Sequence, residues 1–297
     1  MTILITGATG YIGRSLVKRL VERGQRPRCM TRSGTATKAL PAAKVEIVRG
    51  DLTDPASLSA ATRGVEAVVH LASVVANEKQ TRLLNYARIN DQGTADLVAA
   101  AGSAGVGHFL YLSGVNTVPG AEGSYIRTRY NAEQHVKNSG IPFSILEPSI
   151  LFGGGAAFFT ALAGLAKVAP IVPVPGNGKL RFQPVWVEDV VTCIVALLDQ
   201  GGKNETIAIG GPEFYSYDEL LDLVFKTIGK RRIKLHMPMP LMKIGAASMQ
   251  AILPHPPVTT AALDLFAEDN VATLNAIPER FGFKPKSIAV ELAERGI

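Results

Sequence analysis

The chain has 297 residues, 47% hydrophobic and 19% charged, with a formal net charge of +6. That balance supports a sizeable buried core and excludes a disordered chain. It lacks the basic stripe that nucleic-acid binding requires: the best run, Lys230, Arg231, Arg232 and Lys234, reads as a solvated turn after a helix.

Two cysteines, Cys29 and Cys193, stand far apart in apolar segments without metal-ligand spacing, so both read as small buried hydrophobes in a reducing compartment. No metal site is expected. No cationic leader opens the chain, and Lys167, Pro170 and Lys243 interrupt its longest apolar stretches. The expectation is a cytoplasmic protein without a transmembrane segment.

The first half alternates strand and helix. Residues 2–6 form an apolar run ending at Gly7, and 11–23 have helical spacing through Ile12, Leu16 and Leu20. Gly24 stops that helix, and strands follow at 27–31 and 45–49. A helix opens near Asp54-Pro55, where proline suits the first turn. Further strands are predicted at 67–71, 109–113 and 143–146, with helices at 90–104 and 126–138 between them. Continuous apolar strands separated by helices predict a doubly wound parallel α/β sheet. Past Pro148 the rhythm changes through Gly153-Gly154-Gly155 and a proline-interrupted stretch. Residues 1–150 are therefore read as a dinucleotide-binding domain and 151–297 as mainly a smaller substrate lobe. The segment 180–200, with its helix at 188–198, is expected to return to the sheet. Residues 207–297 supply most of the lobe, including a helix at 217–227 and a proline-rich stretch from 237 to 257.

Gly7-Ala8-Thr9-Gly10-Tyr11-Ile12-Gly13 lies between the first strand and the first helix. Glycines there permit a tight turn and close backbone approach to a pyrophosphate, and the last lets the helix pack near the strand. The helix N-terminus adds free N–H groups and the positive end of its dipole. The spacing is G-x-x-G-x-x-G. A plain turn is the alternative, but the strand–loop–helix context predicts a dinucleotide site that also includes Thr9, Tyr11 and Ile12. An NAD site wants a carboxylate at the end of the second strand for the ribose 2′-hydroxyl. Here stand Thr31-Arg32-Ser33. Arg32 can bind a 2′-phosphate, with Thr31 and Ser33 adding neutral donors. NADP(H) is the expected cofactor; NAD(H) is the alternative if Arg32 is an ordinary surface arginine.

Beyond the glycine loop, several segments share one pattern: Gly50-Asp51-Leu52, His70-Leu71-Ala72, Asn90 with Gly93-Thr94, and Tyr125 before Ala132-Glu133. It continues in Leu146-Glu147-Pro148-Ser149 with Phe152-Gly153, Gln183-Pro184-Val185 with Asp189-Val190, and Gly210-Gly211-Pro212. As a set these resemble the extended and atypical short-chain dehydrogenase/reductases. They most resemble the branch with the nucleotide-binding accessory subunit of respiratory complex I and NmrA-like regulators. The resemblance runs from residue 2 to about residue 228. It implies that Asp51 and Leu52 contact the adenine, that Leu71, Ala72 and Ser73 line the middle of the cofactor, and that Pro148 adjoins it. The residues themselves leave open that Asp51 only caps the next turn and that Leu71-Ala72 only ends a strand. Asp189 reads as a first-turn helix carboxylate rather than a catalytic acid.

The resemblance also implies a tyrosine that exchanges a proton with the substrate carbonyl, a lysine four residues on that holds the nicotinamide ribose, and an orienting serine. A nearby cation favours the phenolate. Tyr125 is present, but Arg129 stands at the lysine position, and the swap is not conservative. Ser113 matches the first serine, whereas Gly114 and Val115 occupy the place of the orienting hydroxyl. Tyr125, Arg129 and Ser113 are the catalytic candidates; packing on the cofactor is the alternative role for Tyr125. Glu147 replaces the arginine usual before the proline; pairing with a neighbouring cation is its simplest role, and helping to bind a substrate is the alternative.

Two apolar stripes, Phe158, Phe159, Leu162, Leu165 and Val168, and Leu241, Met242, Ile244, Met249 and Ile252, read as core. Facing the cleft, either would select an apolar substrate; exposed, either would mark a membrane surface or a partner. Three functions fit: an NADP(H)-dependent oxidoreductase on a small apolar carbonyl or quinone, a nucleotide-sugar epimerase or dehydratase, and a non-catalytic nucleotide-binding protein.

Overall fold

The computed structural model describes residues 1–32, 39–81, 85–119, 124–254 and 256–297; Ser33 lies outside the described residues. The first half runs β1 (Ile3–Thr6), α1 (Tyr11–Glu22), β2 (Arg28–Thr31), β3 (Glu46–Arg49), α2 (Pro55–Thr62), β4 (Ala67–His70), α3 (Gly93–Ser103), β5 (His108–Leu112), α4 (Ser124–Lys137) and β6 (Phe143–Pro148). There follow β7 (Leu151–Phe152), α5 (Ala157–Val168), β8 (Ile171–Pro175), β9 (Arg181–Phe182), β10 (Val185–Trp186), α6 (Val187–Gln200), β11 (Glu205–Ile209), β12 (Tyr215–Ser216) and α7 (Tyr217–Thr227). The chain closes with β13 (Ile233–Met237), α8 (Met239–Ile252), α9 (Thr260–Asp264), α10 (Ala276–Phe281) and α11 (Ile288–Arg295).

Seven strands form one parallel sheet in the order β11-β6-β5-β4-β1-β2-β3. This is the doubly wound Rossmann-type arrangement that the alternating pattern predicts. Both faces are covered, so β1 is buried along its length: Ile3 and Ile5 join a core with α1 and α6, and Leu4 joins the opposite core with α2, α3 and α4. Strand order reverses between β1 and β4, which opens a crevice at their carboxyl ends. Asp54 caps α2 by accepting from Ser57 N, with Pro55 in the first turn as expected. Cys29 and Cys193 are buried free thiols, and burial alone pushes Cys29 up to about 12.

The smaller lobe is centred on Phe152, Phe159, Phe182, Tyr217 and Leu221, with Tyr217 perpendicular to Phe266 at 5.0 Å between ring centroids. Asn270 fastens it to the end of β6: its backbone oxygen accepts from Ser149 Oγ at 2.7 Å, and its Oδ1 accepts from Ile150 N at 3.0 Å.

Three features differ from the sequence reading. β11, placed there with the lobe, is the seventh strand; as an edge strand it is half-buried and has no continuous apolar run. The proline-rich stretch contains α8, because Pro238 and Pro240 fall at the cap and first turn, where no intrahelical donor is needed. The first apolar stripe is largely lobe core, but the second is not: Leu241, Ile244 and Ile252 on α8 are exposed, as is Val168 at the end of α5.

A side chain on Gly13 would place its Cβ 2.1 Å from Gly7 O and 2.8 Å from the Ala8 carbonyl carbon. Both neighbours are backbone and cannot give way cheaply. Gly13→Ala is expected to lower stability by about 3 kcal/mol, the upper end for overpacking; an unchanged midpoint in urea unfolding would refute this.

Candidate functional site

The crevice begins at the glycine loop. Gly7 adopts φ +69°, and a Cβ there would lie 2.8 Å from Ala72 N, so the loop and the segment after β4 touch backbone to backbone. Gly10 N donates to Gly7 O at 2.9 Å, and Gly10 is the N-cap of α1 with no side chain capping the helix. The first turn holds no acid. Gly10 is exposed, with ordinary backbone angles. An uncapped helix start with positive dipole character thus opens toward the crevice. The Tyr11 side chain turns elsewhere: its hydroxyl donates to Phe152 O at 3.1 Å, tying α1 to the lobe, and burial raises its pKa. Only the backbone of Tyr11 is therefore available to the loop.

Behind the loop runs a buried hydrogen-bond chain. Thr94 Oγ1 donates to Asn90 O at 2.6 Å, so toward His70 Nε2, 3.0 Å away, it can only accept. That makes His70 Nδ1 the acceptor from Thr6 Oγ1 at 2.6 Å, while Thr6 Oγ1 accepts from Ala72 N at 3.3 Å. Burial holds the ring neutral, with its pKa down at about 3. Asn90, in a π-helical turn over Ala87–Gln92, accepts from Val74 N at 2.8 Å and donates to Val74 O at 2.9 Å. These bonds shape the segment after β4, in which Leu71 and Ala72 are half-buried and Ser73 is exposed.

At the end of β2, Thr31 is buried in the ladder and Arg32 is exposed, within electrostatic reach of Glu78. Burial raises the Glu78 pKa and Arg32 opposes the rise. The Asp51 Oδ1 accepts from both Thr53 N and Thr53 Oγ1 at 2.9 Å, so this carboxylate does cap its own turn. Leu52 is buried beneath Gly93, where a Cβ would come within 2.8 Å of the Leu52 Cβ.

The opposite end of the crevice holds the catalytic candidates. Ser113 Oγ donates to Glu133 Oε1 at 2.6 Å, and Lys137 Nζ donates to Glu133 Oε2 at 2.9 Å. Glu147 was expected to pair with a cation; its main influence after burial is instead the Glu133 carboxylate. Together these push it up to about 7, against the pull of Arg129 and Lys137. Pro148 is buried at the end of β6, its oxygen accepting from Val115 N at 3.2 Å. Tyr125, in the first turn of α4, packs edge-on against Tyr86 at 5.3 Å. The Arg129 guanidinium lies over the Tyr125 ring, Cζ 5.4 Å from its centroid. A Cβ on Gly114 would sit 2.3 Å from Arg129 Nη2 and 3.0 Å from Cζ. Arg129 is buried, and its Nε and Nη2 have no hydrogen-bond partner among the described residues. Asp189 is the first-turn carboxylate of α6 that its position suggests, accepting from Lys286 N at 2.7 Å.

The model of the NAD dependent epimerase/dehydratase family matches residues 3–210. The chain belongs to that family. Its cofactor is accordingly a nicotinamide dinucleotide. The uncapped start of α1, the side-chain-free approach at Gly7 and the free Arg129 donors fit such a group. The chain is similar to the ceramide reductase of Caulobacter vibrioides, 30% identical over 194 residues, which is 65% of this chain and 60% of that protein. The match therefore spans less than two thirds of that relative. It is also similar to the mitochondrial NADH-ubiquinone oxidoreductase 40 kDa subunit of Neurospora crassa, 24% identical over 295 residues, 97% of this chain and 76% of that one. Among solved structures, the NADPH-dependent quinone oxidoreductase of Escherichia coli complexed with NADPH shares the fold. Its TM-score is 0.79 at 17% identity, with 98% of this chain and 99% of that chain covered.

Sequence reasoning treats Gly114 and Arg129 as two separate losses. In space they are one change, since the guanidinium occupies the volume that a serine side chain at 114 would need. Glu133 and the His70–Thr94 pair are visible in the sequence as motif members only; their partners lie 20 to 64 residues away and become apparent only on folding. Gly114→Ser alone is expected to push the guanidinium off the Tyr125 ring, weaken nucleotide binding and cost about 1–3 kcal/mol of stability. Adding Arg129→Lys should recover most of both losses. A double-mutant cycle that is simply additive would show the two sites to be independent.

Proposed function

We propose that this protein is an NADP(H)-dependent oxidoreductase acting on a small, apolar carbonyl compound or a quinone. The observation that carries the reading is the stack of Arg129 on Tyr125, with the guanidinium Nε and Nη2 unpaired among the described residues. The stack holds the Tyr125 ring in place beside a permanent cation, the arrangement from which its hydroxyl would exchange a proton with the substrate carbonyl. The bound dinucleotide supplies the hydride. The backbone from Gly7 to Gly13 and the start of α1 would hold its diphosphate, and Arg32, with no acid beside it in Thr31-Arg32-Ser33, would bind a 2′-phosphate. Arg129 Nε and Nη2 would donate to the ribose hydroxyls at the nicotinamide end, and Tyr125 would give its proton to the carbonyl oxygen. The ceramide reductase and the quinone oxidoreductase, by their names, support an apolar substrate.

A non-catalytic, nucleotide-binding role is the second reading. It is favoured by Ser113, whose hydroxyl is committed to Glu133, and by the likeness to the 40 kDa subunit. A nucleotide-sugar epimerase or dehydratase is less well supported, because Arg129 and Arg32 replace the expected lysine and acid.

NADPH should bind more tightly than NADH, and Arg32→Asp should erase or invert the preference, a charge-assisted contact being worth about 1.5–3 kcal/mol. Equal affinities in the unmodified protein, by fluorescence titration, would rule out the 2′-phosphate assignment.

Tyr125→Phe should cut NADPH oxidation with quinones, aldehydes or ketones by roughly 10²–10⁴-fold while nucleotide affinity changes little. Turnover indifferent to the change would remove Tyr125 from the mechanism. Tight NADPH binding with no turnover of any such compound by the intact protein would favour the non-catalytic reading.

A further inference from the structure

Charge in this chain is sorted by region. Between Asp222 and Asp264 the sequence has no acid but contains Lys226, Lys230, Arg231, Arg232, Lys234 and Lys243. Between Glu147 and Glu188 there is again no acid, with Lys167, Lys179 and Arg181. The whole chain carries +6, so these two stretches hold all of the excess and the remainder is net acidic.

The fold brings the two stretches together. β8 and β13 form a parallel two-stranded ribbon with Ile171 opposite Ile233 and Pro173 opposite Leu235. Its inner residues Val172 and Val174 are buried in the lobe core. Its outer face is bare: Ile233 is 65% exposed, and Ile171 and Leu235 are exposed beside it. Val168, 80% exposed, ends α5 just before β8. Arg232 donates to Ala166 O and Lys167 O, which binds the start of β13 to the end of α5 and sets Lys167, Lys230 and Arg231 around these aliphatic side chains. Lys234 is neutralised by Asp218 and Asp222, whereas Lys167, Lys230 and Arg231 stand exposed. α8 leaves the same strand through Pro238 and exposes Leu241, Ile244 and Ile252. Its far end rests on the segment after β4, where Lys79 Nζ donates to Leu253 O at 3.1 Å, so α8 connects this face with the mouth of the crevice.

Exposed aliphatic residues flanked by the cations Lys167, Lys230 and Arg231, unpaired among the described residues, with the nearby acids Asp218 and Asp222 taken up by Lys234 and His236, match the chemistry of an anionic bilayer surface: apolar side chains enter the acyl boundary and the cations meet the headgroup phosphates. We propose that the outer face of the β8–β13 ribbon, with the end of α5 and the adjoining α8, docks the protein peripherally on anionic lipid. The proposal stands on surface composition and does not depend on the reaction assigned above.

The test is co-sedimentation of the full chain with phosphatidylglycerol–phosphatidylcholine vesicles and with phosphatidylcholine vesicles. Binding is expected to the first, much less to the second, and to weaken with added salt. Lys230→Ala with Arg231→Ala should lower partitioning roughly 10–30-fold, since each cation near such a surface contributes about fivefold. Ile233→Glu should lower it as well, with the melting transition unchanged because the side chain is exposed. No sedimentation with phosphatidylglycerol vesicles, or equal sedimentation of both variants and the unmodified chain, would overturn the proposal. So would a dimer in sedimentation velocity that Ile233→Glu dissociates, which would assign the face to a second copy.

Discussion

A side chain at position 13 would collide with the carbonyl oxygen of Gly7, so α1 can stand where it does only because residue 13 has none. Much at the cofactor end follows from that approach. It places the start of α1 at the end of β1 and brings Gly7 against the backbone of Ala72. It also sets Tyr11 within reach of Phe152, so the sheet domain and the lobe meet at the residue that follows the helix cap. Three glycines and one phenol thus join the packing of the core to the opening of the crevice.

The other end of the crevice is organised by charge. Arg129 brings a permanent cation into a buried position, and Glu133 and Glu147 bring carboxyl groups that are costly to ionise together out of water. Lys137 and Ser113 satisfy both oxygens of Glu133, which leaves Glu147 as the member held nearest to neutrality. Removing the side chain at 114 is what lets so large a cation fit there. A lysine would reach the same region with a narrower head and leave room for a hydroxyl, which is why the arginine and the glycine make sense only as a pair.

The sheet was legible because each strand's apolar run and each helix's spacing are local properties. Ile3, Leu4 and Ile5 together read as a strand covered on both faces, and Asp54-Pro55 read as a helix start; both are so. Features that depend on the opposing surface were not legible. α8 looked like a proline-rich connection because its prolines fall in the cap and first turn, and its apolar stripe looked like core because hydrophobicity does not reveal which side faces solvent. β11 is short, edge-placed and only half-buried, and carries little signal. At the site, the glycine loop announces itself by spacing, whereas the link between positions 114 and 129 depends on α4 packing beside the end of β5 so that Arg129 reaches Gly114.

The hydrogen-bond chain from Ala72 through Thr6, His70 and Thr94 to Asn90 has one further consequence. Every proton along it is committed in a single direction, and the imidazole keeps one donor and one acceptor on opposite edges. A second proton on the ring would set a donor against the donating Thr6 hydroxyl, and burial of the ring refuses it down to a pH of about 3. The histidine here is therefore an insulator. In a residue type usually suited to sensing acidity, this placement makes the wall of the crevice indifferent to changes of pH across the neutral range.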